Sequence, residues 1–533
     1  MSTVKRNIVA NLLGGGWIAV LTVVITPLQV NILGIEAYGV VGFISTLQIA
    51  FTAFDLGLSS TLTRELAADH SPNKDRSTGL LRTSATIYWL SAAAIGIALA
   101  ALAGQIARRW FNVTEIDVSL LEQSLRVIAL YLALRWPVAL YSGVLAGFQR
   151  MDVLNAVKVA TASVRLVGGI AVLLHWRSLY AFLLWTAFNA LVEVVAYWLA
   201  CRWVHPTMPM RPGVSWLAVK KVWRFSASMN ALAILAVLII QLDRLLISKM
   251  LTLDALGFYS LAYTAAASIS ATIAAISSAM LPWFAAAHGQ GTVDSLRRRY
   301  DSANRFMLFT VGLAASAFAF FGEPILSLWV SPNAAAGATQ PLAILAAGFW
   351  WSAVVSNAYS VAVATGRPNL VLKVTLVTAA PYAFGLYWLI SILGINGAAI
   401  AWMLLNISYV VFLLPIVHRS VLDIPVGPWL LRILLPFLLL ACVSFVPARF
   451  MLGDLLPGSQ TASGLIAFVV AVLLYVGLGY LLLGKDIRGA IKLWLRFGGM
   501  RLCPWVRNCK VTLDNRSPSK SSDGAQASRR VDS

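Results

Sequence analysis

Charged side chains interrupt several long apolar segments of this sequence. Asp55 is the clearest case, since it lies near the middle of residues 45–66, a segment long enough to cross a bilayer. The polar residues of that segment recur at steps of 3, 4, 3 and 4: Ser45, Gln48, Thr52, Asp55 and Ser59. On a helix this spacing forms one face, and a polar face at membrane depth must contact protein or water. We therefore expect Asp55 to face the protein interior.

Further charged residues lie inside apolar segments: Arg126, Arg135, Arg165, Glu193, Asp243 and Arg244. An isolated arginine at bilayer depth costs from ~3 to above ~10 kcal/mol, so each needs a partner or water. One interpretation is structural, with the arginines paired to carboxylates of their own half. The other is that the arginines line a hydrated cavity that binds an anionic substrate.

Guanidinium chemistry favours a substrate that carries phosphate, because the planar fork matches phosphate oxygens with two parallel hydrogen bonds. The first half also has more mid-span arginines than carboxylates. The predicted substrate-binding residues are Arg135, Arg165 and Arg244, with Arg64 and Arg126 as further candidates. Arg64 is equally explained as a cytosolic anchor of its helix, and Arg126 by a side chain that reaches the membrane surface.

The carboxylates within the spans suit a different role, because burial disfavours their charged form and makes a bound proton or cation exchangeable. We predict that H⁺ or Na⁺ binds at Asp55, Glu193 or Asp243. No metal site is predicted, since Cys503 and Cys509 lack the close spacing and the histidines of a zinc site. No catalytic residue and no cofactor is expected.

The elements that must position these residues are transmembrane helices. The chain has 533 residues, of which 59% are hydrophobic and only 12% charged, whereas soluble proteins carry about 25% charged residues. Apolar blocks predict an all-α polytopic membrane protein with about fourteen helices. The approximate spans are 8–31, 38–63, 83–107, 120–147, 153–174, 178–201, 224–249, 257–285, 303–330, 339–365, 368–393, 395–417, 428–448 and 462–484.

The distribution of positive charge predicts the orientation. Most of the 41 lysines and arginines fall on the side of the N-terminus, which the positive-inside rule assigns to the cytosol. Both termini are therefore expected in the cytosol. The net charge of +20 is explained by topology and by contact with anionic lipids, without nucleic acid as a partner.

Matches at nearly one offset predict an internal repeat. Arg6 aligns with Arg224 and Gly39 with Gly257 at an offset of 218, and Gly147 aligns with Gly366 at 219. An offset of six helices keeps both copies in one orientation, related by a pseudo-twofold axis along the membrane normal. The predicted units are a first six-helix bundle at 1–203, a second at 204–418, two added helices at 419–484 and a basic, disordered cytosolic tail at 485–533.

The stretch "LGIEAYGVVGFISTLQIAFTAFDLGLSSTLTREL" and its counterpart beginning "QLDRLLISKMLTLDALGFYSL" resemble the polysaccharide-transporter branch of the multidrug/oligosaccharidyl-lipid/polysaccharide exporter superfamily, and Wzx-type oligosaccharide flippases in particular. The resemblance covers residues 4–417. It implies two six-helix bundles in a V, with alternating access and coupling to an ion gradient. It also implies transport of an undecaprenyl-diphosphate-linked oligosaccharide, an O-antigen or exopolysaccharide repeat unit. Asp55 and Arg64 lie in the motif, and a cationic lumen for the diphosphate agrees with Arg135, Arg165 and Arg244.

Other functions remain open at this point. Fourteen helices are also typical of lipid II flippases of that superfamily, and cation-coupled small-molecule antiporters share it. A polymerase of polyprenyl-linked sugars is disfavoured, because such enzymes need carboxylates or histidines in sizeable outer loops and no loop on that side reaches ~20 residues here. Other polysaccharide-assembly proteins are possible partners.

Overall fold

The computed structural model describes residues 3–53, 58–68, 74–206, 213, 237, 239–289, 292–452 and 460–482. Nearly all of these residues are helical, and the described part of the chain contains an isolated bridge between Asn112 and Thr252 but no strand. Apolar sequence explains this outcome, since a helix satisfies its own backbone hydrogen bonds where no water is present. The predicted all-α polytopic fold is confirmed.

The first half contains eight helices within the described ranges. They are α1 (Thr3–Leu33), α2 (Ile35–Ala53), α3 (Leu58–Ala68), α4 (Lys74–Arg109), α5 (Val118–Arg135), α6 (Val138–Gly147), α7 (Met151–Trp176) and α8 (Leu179–Val204). Local chemistry explains several boundaries. Gly34 separates α1 from α2 with a φ of 83°, which a residue without Cβ adopts freely. Asp117 begins α5 by accepting the backbone N–H of Ser119, and this hydrogen bond lowers the pKa of the Asp117 carboxyl.

The second half begins with a helical stretch at 239–250. The helices that follow are α9 (Leu253–Gly289), α10 (Val293–Trp329), α11 (Pro332–Ala364), α12 (Pro368–Val417), α13 (Val426–Trp429), α14 (Leu435–Pro447) and α15 (Gln460–Leu482). Short π-helical turns at His418–Leu422, Leu430–Leu434 and Ala448–Leu452 adjoin α12, α13 and α14. Gly394 divides α12 into two arms, because its φ of 58° and ψ of −136° leave the helical region.

Eleven helices among the described residues are long and apolar enough to cross a membrane, so the chain is a multi-pass membrane protein. The count of fourteen is not confirmed, for identifiable reasons. The predicted spans 368–393 and 395–417 are joined in α12. Residues 54–57 of the predicted span 38–63 lie outside the described residues. Most of the predicted span 224–249 lies outside the described residues.

The helices pack as two groups. In the first half α7 contacts α1 and α8, α5 contacts α4 and α8, and α3 packs on α6. In the second half α11 lies at the centre, in contact with α9, α10 and α12. The groups meet where α2 packs against α9.

The contact between α2 and α9 is reciprocal. A Cβ atom added to Gly39 would overlap the carbonyl oxygen of Leu253, and one added to Gly257 would overlap the carbonyl oxygen of Ile35. Gly42 lies against Ser260 in the same way. The repeat relates the first two contacts to each other, since 257 − 39 and 253 − 35 both equal 218, and Gly42 and Ser260 are themselves equivalent positions, since 260 − 42 = 218. The aligned glycines therefore mark the pseudo-twofold axis, where missing side chains let two backbones approach closely.

Aromatic side chains attach the additional helices to the second half. The Tyr475 hydroxyl donates to the carbonyl oxygen of Phe309 over 3.0 Å, and the two rings stack. Phe445 of α14 contacts both Tyr475 and Phe321 of α10. The added helices thus cover α10 on the second half.

The close contact of α2 with α9 predicts that an added methyl group destabilises the protein at Gly39 but not at a glycine with open space around it. Gly39→Ala should lower the melting temperature of the detergent-solubilised protein by several degrees, because overpacking typically costs ~1–3 kcal/mol. Gly15→Ala is the matched control, since a Cβ at Gly15 meets no atom within 4 Å. Equal melting temperatures for the two variants would contradict a tight crossing at Gly39.

Candidate functional site

Arg135 and Glu193 form an ion pair inside the first half. Arg135 is the last residue of α5 and Glu193 lies within α8, and Nη1 of the arginine donates to Oε2 of the carboxylate. The Glu193 side chain is 8% exposed and that of Arg135 25% exposed. Because α5 packs on α8, residues 58 positions apart meet at the helix interface. This contact is one of the pairings that the structural interpretation predicted.

Each member of this ion pair has an uncharged polar side chain one turn before it on its own helix. Tyr131, one turn before Arg135, donates its hydroxyl to Oε1 of Gln48 over 2.6 Å. Asn189, one turn before Glu193, is fully buried, and neither of its amide atoms has a hydrogen-bond partner in the described ranges. An unpaired buried amide costs ~1–3 kcal/mol. Spare donor and acceptor capacity therefore lies next to the carboxylate.

Arg165 is half-buried on α7. Its carbonyl oxygen accepts the Trp185 indole N–H over 3.1 Å, which fixes α7 against α8 at this level. No ion pair of the Arg165 side chain occurs among the residues that the structure describes. Asp55, which the sequence offered as a partner, lies outside the described residues, so its predicted inward orientation stays a prediction.

Arg126 and Arg64 lie in more exposed positions. The Arg126 guanidinium donates to Glu122 of its own helix over 2.6 Å, and Glu122 also contacts Arg108 at 3.6 Å. Arg64 lies 3.6 Å from the neighbouring Glu65. More than half of each arginine side chain is exposed. Neither contact brings these residues together with Arg135, which agrees with the simpler explanations of both.

In the second half, Arg244 and Asp243 are both buried. The guanidinium of Arg244 donates to Gln241 over 3.1 Å and lies 3.6 Å from the centre of the Tyr263 ring. Asp243 instead accepts the Tyr259 hydroxyl over 2.6 Å and the backbone N–H of Arg244 over 2.7 Å. The alternative of a side-chain ion pair between the two is therefore not what the structure shows. A cation–π contact of this kind is worth up to ~2 kcal/mol when it is dry.

Hydrogen bonds join the two halves at one end of the molecule, which we call the Gly34 end because it contains the α1–α2 junction. The Glu36 carboxylate, at the start of α2, is 2% exposed. Its two oxygens accept the backbone N–H groups of Thr114, Glu115 and Ile116 over 2.7, 2.7 and 2.9 Å. The Thr114 hydroxyl lies 2.6 Å from Oδ2 of Asp254, at the start of α9. Thr114 is thus held by a carboxylate from each half.

The α4–α5 connection continues this contact along the second half. Leu253 donates its N–H to the carbonyl oxygen of Asn112 over 3.1 Å, and the Trp110 indole donates to Ser248 over 3.0 Å. Lys249 donates to the carbonyl oxygen of Arg109. We call the whole set, centred on Glu36, Thr114 and Asp254, the polar latch.

Sequence reasoning did not select Glu36 or Asp254, although a signal was present. They are equivalent positions of the repeat, since 254 − 36 = 218, and both lie in the aligned segments. Acidic residues at the same place in two copies, each at the start of a helix, indicate a symmetric role. The signal was weak because acidic residues are common in first helical turns.

The polar latch predicts a local effect of Glu36→Gln. The two carboxylate oxygens accept three N–H groups, whereas glutamine has one acceptor oxygen and would turn an NH₂ group toward the same donors. Hydrogen exchange of residues 114–116 should therefore accelerate by roughly tenfold or more, since hydrogen bonds to charged groups contribute ~1.5–3 kcal/mol. The control is Glu115→Gln, an exposed carboxylate in the same connection. Unchanged exchange in Glu36→Gln would refute the latch.

Comparison with known proteins assigns this chain to a family. The family described as polysaccharide biosynthesis protein matches residues 4–288. A protein of Shigella flexneri named "Putative O-antigen transporter" is 22% identical over 377 residues, which cover 69% of this chain and 87% of that protein.

Solved structures of membrane transporters share the fold of this chain. The lipid II flippase MurJ in an inward closed conformation has a TM-score of 0.68 at 12% identity, covering 89% of this chain and 99% of that one. An inward-facing multidrug resistance transporter of the MATE family has a TM-score of 0.61 at 15% identity, covering 75% and 96%. The predicted resemblance is confirmed. The chain belongs to the polysaccharide biosynthesis protein family.

Proposed function

We propose that this protein is a flippase that moves an undecaprenyl-diphosphate-linked oligosaccharide across the bacterial cytoplasmic membrane by alternating access, coupled to an ion gradient. One observation carries the proposal: the arginine at the α5–α8 interface has a single carboxylate partner that a phosphate group can replace. Arg135 is partly exposed while Glu193 is buried, so the cation is the partner that an incoming anion reaches first. The names of the O-antigen transporter and the lipid II flippase support the substrate class.

A coupling mechanism follows if Arg135 exchanges its carboxylate partner, Glu193, for the diphosphate. We call this step partner exchange. When the diphosphate binds the guanidinium, Glu193 loses its cation and remains buried as an unpaired charge, which costs several kcal/mol. Binding of H⁺ or Na⁺ at Glu193 removes that cost, and Asn189 offers unused polar atoms beside it. Release of the diphosphate returns Arg135 to Glu193 and expels the cation. Substrate and ion therefore favour the same state of the site, and each promotes binding of the other.

The remaining predicted residues fit around this exchange. Arg165, on the neighbouring α7, adds a second guanidinium for the diphosphate, and Asp55 a second ion site. Arg64 attracts the head group at the cytosolic surface, and Arg126 acts near the opposite one. In the second half, Arg244 adds positive charge and Asp243 a carboxylate for the coupling ion.

In the proposed alternating-access cycle, the polar latch stabilises the state in which the Gly34 end is closed. With the N-terminus in the cytosol, the Gly34 end faces outward, and the latch holds the two halves together there. Breaking the hydrogen bonds that join the α4–α5 connection to the second half, such as that of Thr114 to Asp254, opens that end. Anionic lipids contact the basic cytosolic surface, and proteins that build and polymerise the repeat unit are the partners expected at the membrane.

The proposal is tested by reconstituting the protein into vesicles with an undecaprenyl-diphosphate-linked oligosaccharide and measuring its appearance in the opposite leaflet. Arg165→Ala should slow flipping by roughly tenfold or more, and Arg165→Lys should recover part of the rate, because lysine keeps the charge but not the two-pronged geometry. Full activity of both variants would remove Arg165 from the mechanism. Transport of small cationic drugs in place of the lipid would favour an antiporter.

Partner exchange predicts a separate result at the ion pair. Glu193→Gln keeps the shape of the side chain, and its flipping should lose dependence on the ion gradient while substrate binding is retained. Arg135→Ala should weaken substrate binding by roughly tenfold or more, since it removes a charge-assisted hydrogen bond. Arg108→Ala, at an exposed arginine of α4 that has no assigned role, is the control. Gradient-dependent flipping by Glu193→Gln would contradict the exchange.

A further inference from the structure

A proline inside α1 leaves one backbone carbonyl without its helical partner. In a regular helix the carbonyl oxygen of Val23 accepts the N–H group of residue 27, four positions further along. That residue is Pro27, which lies inside α1 and has no N–H group. The oxygen of Val23 therefore needs a donor from another part of the protein, because membrane hydrocarbon offers none.

The donor comes from the second half. Trp329 is the last residue of α10, and its indole N–H donates to the carbonyl oxygen of Val23 over 2.8 Å. A second hydrogen bond runs in the opposite direction, since the Asn31 amide of α1 donates to the carbonyl oxygen of Val330 over 3.1 Å. Val330 follows the end of α10, where the last carbonyls of a helix also lack helical partners. Each half thus supplies one side-chain donor and one backbone acceptor, and we call the two hydrogen bonds the α1–α10 contact.

The internal repeat gives the α1–α10 contact a counterpart in the polar latch. Trp329 and Trp110 are equivalent positions, since 329 − 110 = 219, and each lies where its helix ends, α10 or α4. The Trp110 indole donates to Ser248 of the second half over 3.0 Å. Tryptophan at a helix end is common at membrane surfaces, but that preference does not direct both indole N–H groups to the opposite half. Equivalent tryptophans therefore join the halves on both sides of the pseudo-twofold axis.

We propose that Pro27, Asn31 and Trp329 are positioning residues for transport, because the α1–α10 contact closes the Gly34 end together with the polar latch and breaks when that end opens. The inference rests on the alternating access of the proposed function and adds the residues that hold its closed state on the α1 side. Pro27 keeps the oxygen of Val23 available to the indole. Once the end opens, water replaces the indole at that oxygen, so opening exchanges one hydrogen bond for another and both states stay accessible.

A distance between the halves measures the closure directly. Spin labels are attached through Ser119→Cys at the start of α5 and Asn333→Cys at the start of α11, both exposed residues, in protein whose native cysteines are replaced by serine. Pulsed electron paramagnetic resonance in vesicles then gives the ratio of long to short distances. Trp329→Phe keeps an aromatic ring and removes the N–H group, so this ratio should rise by roughly two- to tenfold, the effect of one net hydrogen bond.

Combining this variant with Pro27→Ala tests the role of the freed carbonyl. Alanine supplies the N–H group that pairs the oxygen of Val23 within α1, so in that background Trp329→Phe should change the distance ratio by less than about twofold. Trp110→Phe is the matched control, because its indole donates to Ser248 and its effect should be the same with and without Pro27. Equal effects of Trp329→Phe in both backgrounds would overturn the role of Pro27, and an unchanged ratio in both would overturn the closure.

Asn31→Ala tests the second hydrogen bond separately. Asn31 is exposed, so the variant should fold, and the distance ratio should rise as it does in Trp329→Phe; no rise would remove Asn31 from the closure. These distances are measured without substrate, and flipping of the undecaprenyl-linked lipid is measured in the same vesicles. Failure of the wild type to flip that lipid would overturn the proposed function, whereas the coupling between Pro27 and Trp329 decides the closure by itself.

Discussion

The cost of placing charge in hydrocarbon governs the arrangement of this protein. A chain with 12% charged residues has few of them inside its helices, and the buried ones that the structure describes there have specific partners. Glu193 receives Arg135, Asp243 receives a tyrosine hydroxyl and a backbone N–H, and Arg244 lies on an aromatic ring. These charged groups differ in how readily they exchange their partners. An ion pair with a partly exposed arginine can be reorganised by an anion, whereas a carboxylate enclosed by hydrogen bonds is held in place.

Internal duplication solves a second problem, which is how two bundles meet without an interface of large side chains. The contact uses equivalent positions of the repeat, so Gly39 meets Gly257 across the axis and each glycine admits the backbone of the other half. The carboxylates at Glu36 and Asp254 follow the same symmetry, yet they bind one asymmetric element, the connection before α5. The interface combines a close contact between glycines with a few hydrogen bonds. Each hydrogen bond contributes only a small free energy, which suits an interface that opens. In that case the glycine contact acts as a pivot.

The proposed transport cycle uses these features together. The proposed substrate carries a charged diphosphate, and the guanidinium groups within the bundles are the environment assigned to it. The second half has fewer charges inside its spans than the first. On this view the first half governs charge and coupling.

The sequence alone determined the membrane class, the repeat and the family, because apolar length, an offset of 218 residues and a spaced motif are local or additive properties of the chain. It also identified Arg135, Glu193, Asp243 and Arg244 as the charged residues that need partners. The tertiary structure decided who those partners are. Arg135 meets Glu193 because α5 packs on α8, and Arg244 turns from the adjacent Asp243 to Tyr263 because a guanidinium and a neighbouring carboxylate leave the helix in different directions. The latch and the kink of α12 likewise depend on a connection at Thr114 and a turn at Gly394, whose geometry no periodicity encodes. Contacts between distant segments arise from packing, and packing is a property of the folded chain.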